Sequence, residues 1–452
     1  MNLLYTGIDM STQQLPPLKD HLQSRHLIHQ YTHEELFEQF QEWGKNFYFG
    51  VDCSADSMHI GHFAALMLAL NIMSYGNKCY LIVGWATSTI GNPSWKDNER
   101  PVLTSEQLAH NEAWIHAQFE RLCSNVAEVT GKRFEYEVIN NKTFFEWFNT
   151  LDFLREVGRY VTVNRMLTKD IVRKRVSDPD KSISYAEFSY MLLMGDDYYK
   201  LYTEHDVTLQ VWWSDEWDGM LSGMEIIRKK LWRADDENPV GAITLPLVLD
   251  STGKKFGKSE GNAIWLSPER NSPYVVYNYL MNAADEDVER YLRLFTFKSD
   301  EEIKQIIDTH TQAPHLRQWQ QTLAFSAVQM IFWTQAANQC EEVRQVLFAK
   351  GDIREKVVAL SPEWVAMLWA STKLCRLFPE REMPTIIEAL TSLDLVSSNG
   401  DAKKALKEWC VWIYDKKITD MQYRLLPEDF SENGVALLKK GKKSVGILVS
   451  FE

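Results

Sequence analysis

His59-Ile60-Gly61-His62 sets two imidazoles three positions apart around a glycine, directly after the strand-like run YFGVD and at the opening of an apolar stretch. That placement suits a phosphate site. A helix N-terminus presents unsatisfied N–H groups and a positive dipole end, and a glycine lets ligand and backbone approach closely. Imidazole N–H donors can follow negative charge onto a phosphate as it develops. A second cluster, Lys254-Lys255-Phe256-Gly257-Lys258-Ser259, sits in DSTGKKFGKSEGN among Gly253, Gly257 and Gly261. The glycines predict a mobile loop, and closely spaced ammonium groups can clamp a polyphosphate leaving group. It is not a Walker loop, because GxxxxGK[ST] at a strand–helix junction is absent. Singly, each pattern also fits packing histidines or a solvated turn. Zinc would need a third ligand at metal spacing, and none is evident, so no metal is expected on the protein itself.

In this order, and about two hundred residues apart, the motifs resemble the HIGH and KMSKS signatures of class I aminoacyl-tRNA synthetases, the second in the KFGKS form of tyrosine enzymes. YFGVDCSADSMHIGH, NPSWKDNER, FSYMLLMGDDYYKLY, SDEW and SPYVVYNYLMNAADEDVERYLRLFTF each look like the corresponding tyrosyl-tRNA synthetase block. The tail TIIEALTSLDLVSSNGDAKKALKEW is similar to the S4-like RNA-binding domain of the bacterial enzymes. The resemblance implies ATP-dependent activation of tyrosine and its transfer to tRNA(Tyr). It places Asp52, Ser54, Gly61 and Ser259 at the ATP site with His59 and His62, and Asp215 on the ribose. Lys96, Arg100, Lys255 and Lys258 would enclose the pyrophosphate, with Mg²⁺ bridging the phosphates.

For the amino acid, Tyr48 and Asp197 match the pair that hydrogen-bonds a substrate phenol, with Asn141 in support, and Tyr190 matches a residue at the substrate ammonium. Here the sequence departs from the family. Asn92 stands where Asp is usual, Met194 and Glu216 where Gln is usual, and Trp212-Trp213 replace a glycine pair. Losing a carboxylate and an amide removes two acceptors from the α-ammonium, each contributing ~1.5–3 kcal/mol. Glu216 and Asp196 are the candidate compensators. Two substrates stay open: tyrosine in a rebuilt pocket, or a phenol-bearing analogue such as a β-amino or N-modified tyrosine.

The elements that must hold these groups read as a doubly wound α/β domain. NFYFGVD and KCYLIV are strands, His62 to Met73 is an apolar helix, and GWATSTIGNPS is a Gly-rich loop. Such sheets bind ligands beyond the C-terminal ends of their strands. The expected division is a Rossmann-like catalytic domain over 1–271, an α-helical anticodon-binding domain over 272–380, with helices to about Leu377, and a small α+β S4-like domain over 381–452.

Net charge is −13, which speaks against a nucleic-acid binder, but the segment from Thr385 to Glu452 is neutral, with ten basic and ten acidic residues. Its lysines Lys403, Lys404, Lys407, Lys416, Lys417, Lys439, Lys440, Lys442 and Lys443 form the expected RNA footprint. Trp409, Trp412 and Tyr414 are available to stack on bases or to pack inside. Six scattered cysteines without CxxC spacing, and a polar first thirty residues, point to reduced thiols in a cytoplasmic protein. By resemblance the enzyme is a homodimer with no membrane contact. Two competing readings are a non-catalytic synthetase-like RNA-binding protein and an HxGH nucleotidyltransferase of dinucleotide-cofactor synthesis. The intact set of phosphate-facing residues argues against the first, and the tail against the second.

Overall fold

The computed structural model describes residues 15–92, 101–146, 148–178, 181–232, 234, 239–253, 256–259, 262–347, 375–379, 382–408, 410–432, 434–441 and 444–451. The chain divides into two compact units, Met1–Gly257 with Glu289–Lys304, and Lys258–Val288 with Gln305–Glu452.

The first unit is built on strands β1 (Gln30–Tyr31), β2 (Asn46–Asp52), β3 (Lys78–Gly84), β4 (Glu135–Asn140), β5 (Val207–Trp213) and β6 (Gly241–Leu245). Their order is β1-β6-β5-β2-β3-β4, with β1 antiparallel and every other pair parallel. β3 is buried along almost its whole length, as parallel strands covered on both faces require. The helix Ile60–Met73 is not amphipathic: twelve of its fourteen residues are buried, so it lies inside the domain rather than on its surface. GWATSTIGNPS, expected as a loop, instead coils into a helix at Trp85–Ile90. Ser88 Oγ bonds back to the Gly84 carbonyl (2.5 Å) and Asn141 Oδ1 accepts from Ala86 N–H (2.8 Å), the first from one turn along and the second from a distant strand end. Cys53, Cys79, Cys123 and Cys340 are buried free thiols.

In the second unit, helices Pro273–Met281, Gln318–Phe332 and Thr334–Leu347 pack together. Arg344 bonds Glu341, which also accepts from the Tyr277 hydroxyl. β7 (Lys258–Ser259) and β8 (Asn262–Ala263) form a short antiparallel hairpin. A second sheet has the order β11-β10-β12-β13-β9, from β9 (Cys375–Pro379), β10 (Val411–Ile413), β11 (Lys416–Lys417), β12 (Val435–Lys440) and β13 (Ser444–Phe451). β9 corrects the expectation of helix to about Leu377: it pairs in parallel with β13, where the sheet offers an open edge. Helix Ile386–Ser392 starts on a Thr385/Glu388 capping box, and Asn399–Lys407 starts on Ser398. No described helix is long and apolar enough to cross a membrane.

Candidate active site

β2 rises from the centre of the sheet and delivers two of the expected residues, Tyr48 and Asp52. Its pairing with β3 continues to Asp52↔Gly84, but its pairing with β5 ends at Tyr48↔Gln210. A crevice therefore opens between β2 and β5 at their C-terminal ends, where the strand order reverses. This is where open α/β sheets take ligands.

Beyond Asp52 the loop to His59 is pinned from neighbouring helices. Ser88 Oγ accepts from Cys53 N–H (2.6 Å), Asn111 donates to the Cys53 carbonyl (2.8 Å), and Gln118 Oε1 accepts from Met58 N–H (2.8 Å). Ser54 is exposed in that loop. The two histidines then cap the helix for each other. His59 Nδ1 accepts from His62 N–H (3.2 Å), His62 Nδ1 accepts from His59 N–H (3.1 Å), and the rings stack at 3.8 Å and 9°. Each Nδ1 uses its lone pair on backbone, so each neutral ring carries its proton on Nε2. The pair is thus set as two Nε2–H donors at a helix N-terminus. Gly61 permits it, since a Cβ there would stand 2.8 Å from His59 Cε1.

Asp52 is held by Thr87 Oγ1, which donates to Oδ1 (2.7 Å), and by the Tyr190 hydroxyl, which donates to Oδ2 (3.0 Å). Gly84 makes room: a Cβ there would meet Asp52 Oδ1 and Thr87 Oγ1 at 2.7 Å each. Gly84→Ala is therefore expected to destabilise the fold by about 1–3 kcal/mol through overpacking. A urea titration checks this as a lower midpoint at unchanged slope.

At the floor of the crevice Asn141 Nδ2 donates to Asp197 Oδ2 (2.9 Å), and the rings of Tyr48 and Tyr198 lie 5.0 Å apart. The Tyr48 hydroxyl and Asp197 Oδ1 are both buried without a hydrogen-bond partner among the described residues. Burial drives the Asp197 carboxyl well above the usual aspartate range, with the Asn141 amide pulling the other way. Such orphaned groups are costly unless something completes them. Asp196, expected as a compensator for the substrate ammonium, is committed elsewhere: its buried carboxylate lies 3.4 Å from Lys230 Nζ. One step along a helix turns a side chain by about 100°, which separates it from Asp197.

A small cavity is lined by Asn92, Lys169, Tyr190, Met191, Asp215, Glu216, Asp218 and Gly219. Asn92 Nδ2 donates to Glu216 Oε1 (2.7 Å), so the two departures at the expected ammonium site are partners. The third, Met194, lays its methyl where a Gly219 side chain would be, 2.1 Å from the Cβ position. Lys169 went unnoticed in the sequence. It is almost fully buried, donates to the Asp218 carbonyl (2.7 Å) and lies 3.6 Å from that carboxylate. Burial lowers its pKa, with the Asp218 charge opposing. Nothing in its local sequence marks it out, because its burial is made by residues about fifty positions away.

The second motif reaches the first through its backbone. Gly257 has φ +84°, and a Cβ there would stand 2.5 Å from Ile60 Cγ2, so the loop rests on the middle of HIGH. Phe256 is buried against Tyr291 (4.6 Å) and Phe295 (5.1 Å), and Phe295 stacks on Phe63 (6.2 Å, 5°). Lys96, Arg100, Lys254 and Lys255 lie outside the described residues, as do the side chains of Lys258 and Ser259, whose backbones form β7.

In the tail, Lys403, Lys404 and Lys407 are exposed along one helix, and Lys416 and Lys417 are exposed on β11. Lys439 is half-buried, Lys440 donates to the Leu395 carbonyl (2.9 Å), and Lys442, Lys443 and Trp409 lie outside the described residues. Tyr414 is buried with its hydroxyl on the Val435 carbonyl, so it packs inside, while Lys417 lies 5.5 Å over the Trp412 ring.

The arrangement matches known proteins over nearly the whole chain. The family described as class I tRNA synthetases (W and Y) matches residues 45–349, which sets the class. The tyrosine-tRNA ligase SYY-like C-terminal domain matches residues 373–448. The tyrosine-tRNA ligase of Streptococcus gordonii is 36% identical over 430 residues, covering 95% of this chain and 99% of the relative. Tyrosine-tRNA ligase 1 of Streptococcus thermophilus shares the same identity over the same length. A C-terminally truncated mitochondrial tyrosyl-tRNA synthetase from Aspergillus nidulans superposes with a TM-score of 0.66 at 28% identity, covering 74% of this chain and 95% of that one. The chain belongs to the tyrosine-tRNA ligase family.

Proposed function

We propose that this chain activates tyrosine with ATP and transfers it to tRNA(Tyr). The observation that carries the amino acid is the crevice floor, where Tyr48, Asp197 and Asn141 offer an uncompleted, buried hydrogen-bonding set of the shape a phenol completes. The substrate carboxylate attacks the α-phosphate, the new P–O bond makes the adenylate, and pyrophosphate leaves. The Nε2–H groups of His59 and His62 follow charge onto the phosphate. Lys96, Arg100, Lys255 and Lys258 are assigned to the departing pyrophosphate, and Asp215 to the ribose, with Asp52, Ser54, Gly61 and Ser259 around the nucleotide. A terminal ribose hydroxyl of tRNA then attacks the activated carbonyl and AMP departs. Among the described residues no cluster of three or more His, Cys, Asp or Glu can hold a metal. Mg²⁺ would come to the site on the triphosphate. There it would neutralise the phosphate oxygens.

Tyr190 and the Asn92–Glu216 pair are assigned to the ammonium end, with Met194 bounding it. The apolar Met194 methyl at that end favours a second reading, in which the ammonium carries a substituent or sits one carbon further on. Pyrophosphate exchange separates the readings. Exchange saturating at micromolar L-tyrosine supports tyrosine and removes the β-amino, N-modified and non-catalytic alternatives. Exchange only with an analogue reverses the choice, and none with any of them leaves an RNA-binding protein.

We place the tRNA-binding surface on the exposed lysines of the tail, in a cytoplasmic homodimer. Replacing Lys403, Lys404 and Lys407 together by Ala is expected to weaken tRNA binding. It should also flatten the log–log salt dependence by about two to three units, since each phosphate that a lysine neutralises adds roughly 0.7–0.9 to the slope. Filter binding across a salt series checks both.

A further inference from the structure

Trp212 and Trp213 end β5 at the mouth of the crevice. Trp213 is only 9% exposed, and its Cζ2 stands 3.9 Å from the place a Gly61 side chain would occupy. The other near flank of Gly61 holds the His59 ring. An indole carbon therefore lies within van der Waals reach of the Gly61 side of HIGH. Trp212, its neighbour on β5, packs 4.6 Å from Phe49 and 6.3 Å from His62 at 28°. The backbone beneath is fixed, since β5 still pairs with β6 at Trp213↔Leu245. Any movement must be a side-chain rotation.

Resting on the assignment of the nucleotide to His59 and His62, we propose that Trp213 is a gate on the nucleotide site. Its indole fills the approach to Gly61 and turns aside before ATP can reach the imidazole pair. The protein admits ATP from a minor open population, so its apparent affinity is reduced by the open fraction. With an open fraction of about one tenth, removing the indole tightens ATP binding about tenfold.

The test is equilibrium dialysis of ATP against the full chain, the W213G variant and the W213F variant. Expected is binding about tenfold tighter for W213G, with W213F between. In tyrosine-dependent exchange the KM for ATP falls while the KM for tyrosine stays put, a split that a merely structural tryptophan would not produce. ATP binding that is unchanged or weaker in W213G overturns the gate, the weaker case making the indole a stacking surface. If thermal melts show W213G unfolded, W213F decides alone by the same criterion. Failure of all three proteins to bind ATP sinks the nucleotide assignment together with the gate. Binding by the parent chain with no gain in either variant sinks the gate alone.

Discussion

Replacing His62 by alanine slows adenylate formation about 100- to 1000-fold, the usual cost of removing one donor aimed at developing phosphate charge. The reasoning runs from the helix start. His62 Nδ1 is spent on the His59 N–H, which leaves Nε2–H as the donor and fixes the ring plane against its neighbour. Alanine removes the donor and half of the reciprocal cap together. The cap alone contributes about 1 kcal/mol to stability. A rate loss well beyond that stability loss distinguishes chemistry from folding. His62→Asn separates the two further: a short amide can still accept the His59 N–H, so it keeps most of the stability and little of the rate. Single-turnover formation of the adenylate, read beside a thermal melt, gives both quantities. A His62→Ala protein that activates tyrosine at the parent rate would remove the imidazoles from the reaction.

Asp197→Asn lowers the preference for tyrosine over phenylalanine about 10- to 100-fold, because the phenol exchanges a carboxyl partner for a weaker amide one. The same change makes the empty protein more stable. Burial raises the Asp197 pKa in the fold, so the native state holds that proton more tightly than the unfolded chain does. Below the ordinary aspartate range both states are protonated, and the parent and the Asn variant have similar stability. As pH rises from there toward the raised native pKa, the unfolded chain ionises first and the parent loses stability. The Asn variant, without an ionisable group, does not. At neutral pH the variant is therefore expected to be the more stable of the two. Denaturation across a pH series from the acid range to neutrality measures the divergence, and exchange kinetics with the two amino acids measures the discrimination. Tyr48→Phe gives a smaller loss of discrimination, since only a neutral partner is removed. Stability and specificity move in opposite directions here, as expected where a site holds polar groups ready for a ligand.

What the linear chain determined by itself was chemistry that needs neighbours only a few residues away. The HxGH pair, the strand before it and the helix after it were legible because a helix cap, a hydrophobic run and a glycine are local devices. The family was legible because so many such blocks occur in order. The phenol pair Tyr48 and Asp197 could be matched from those blocks, but their burial and unmet bonds could not. Those depend on β2 and a helix far along the chain facing each other. The tertiary structure alone decided that Asp196 pairs with Lys230, that Lys169 enters the cavity, and that Asn92 and Glu216 are partners. It also made a helix of the segment after Gly84 and drew Cys375–Pro379 into a sheet. In each case the deciding interaction comes from residues remote in sequence. Their Coulomb, steric and desolvation energies exist only once the chain has closed on itself.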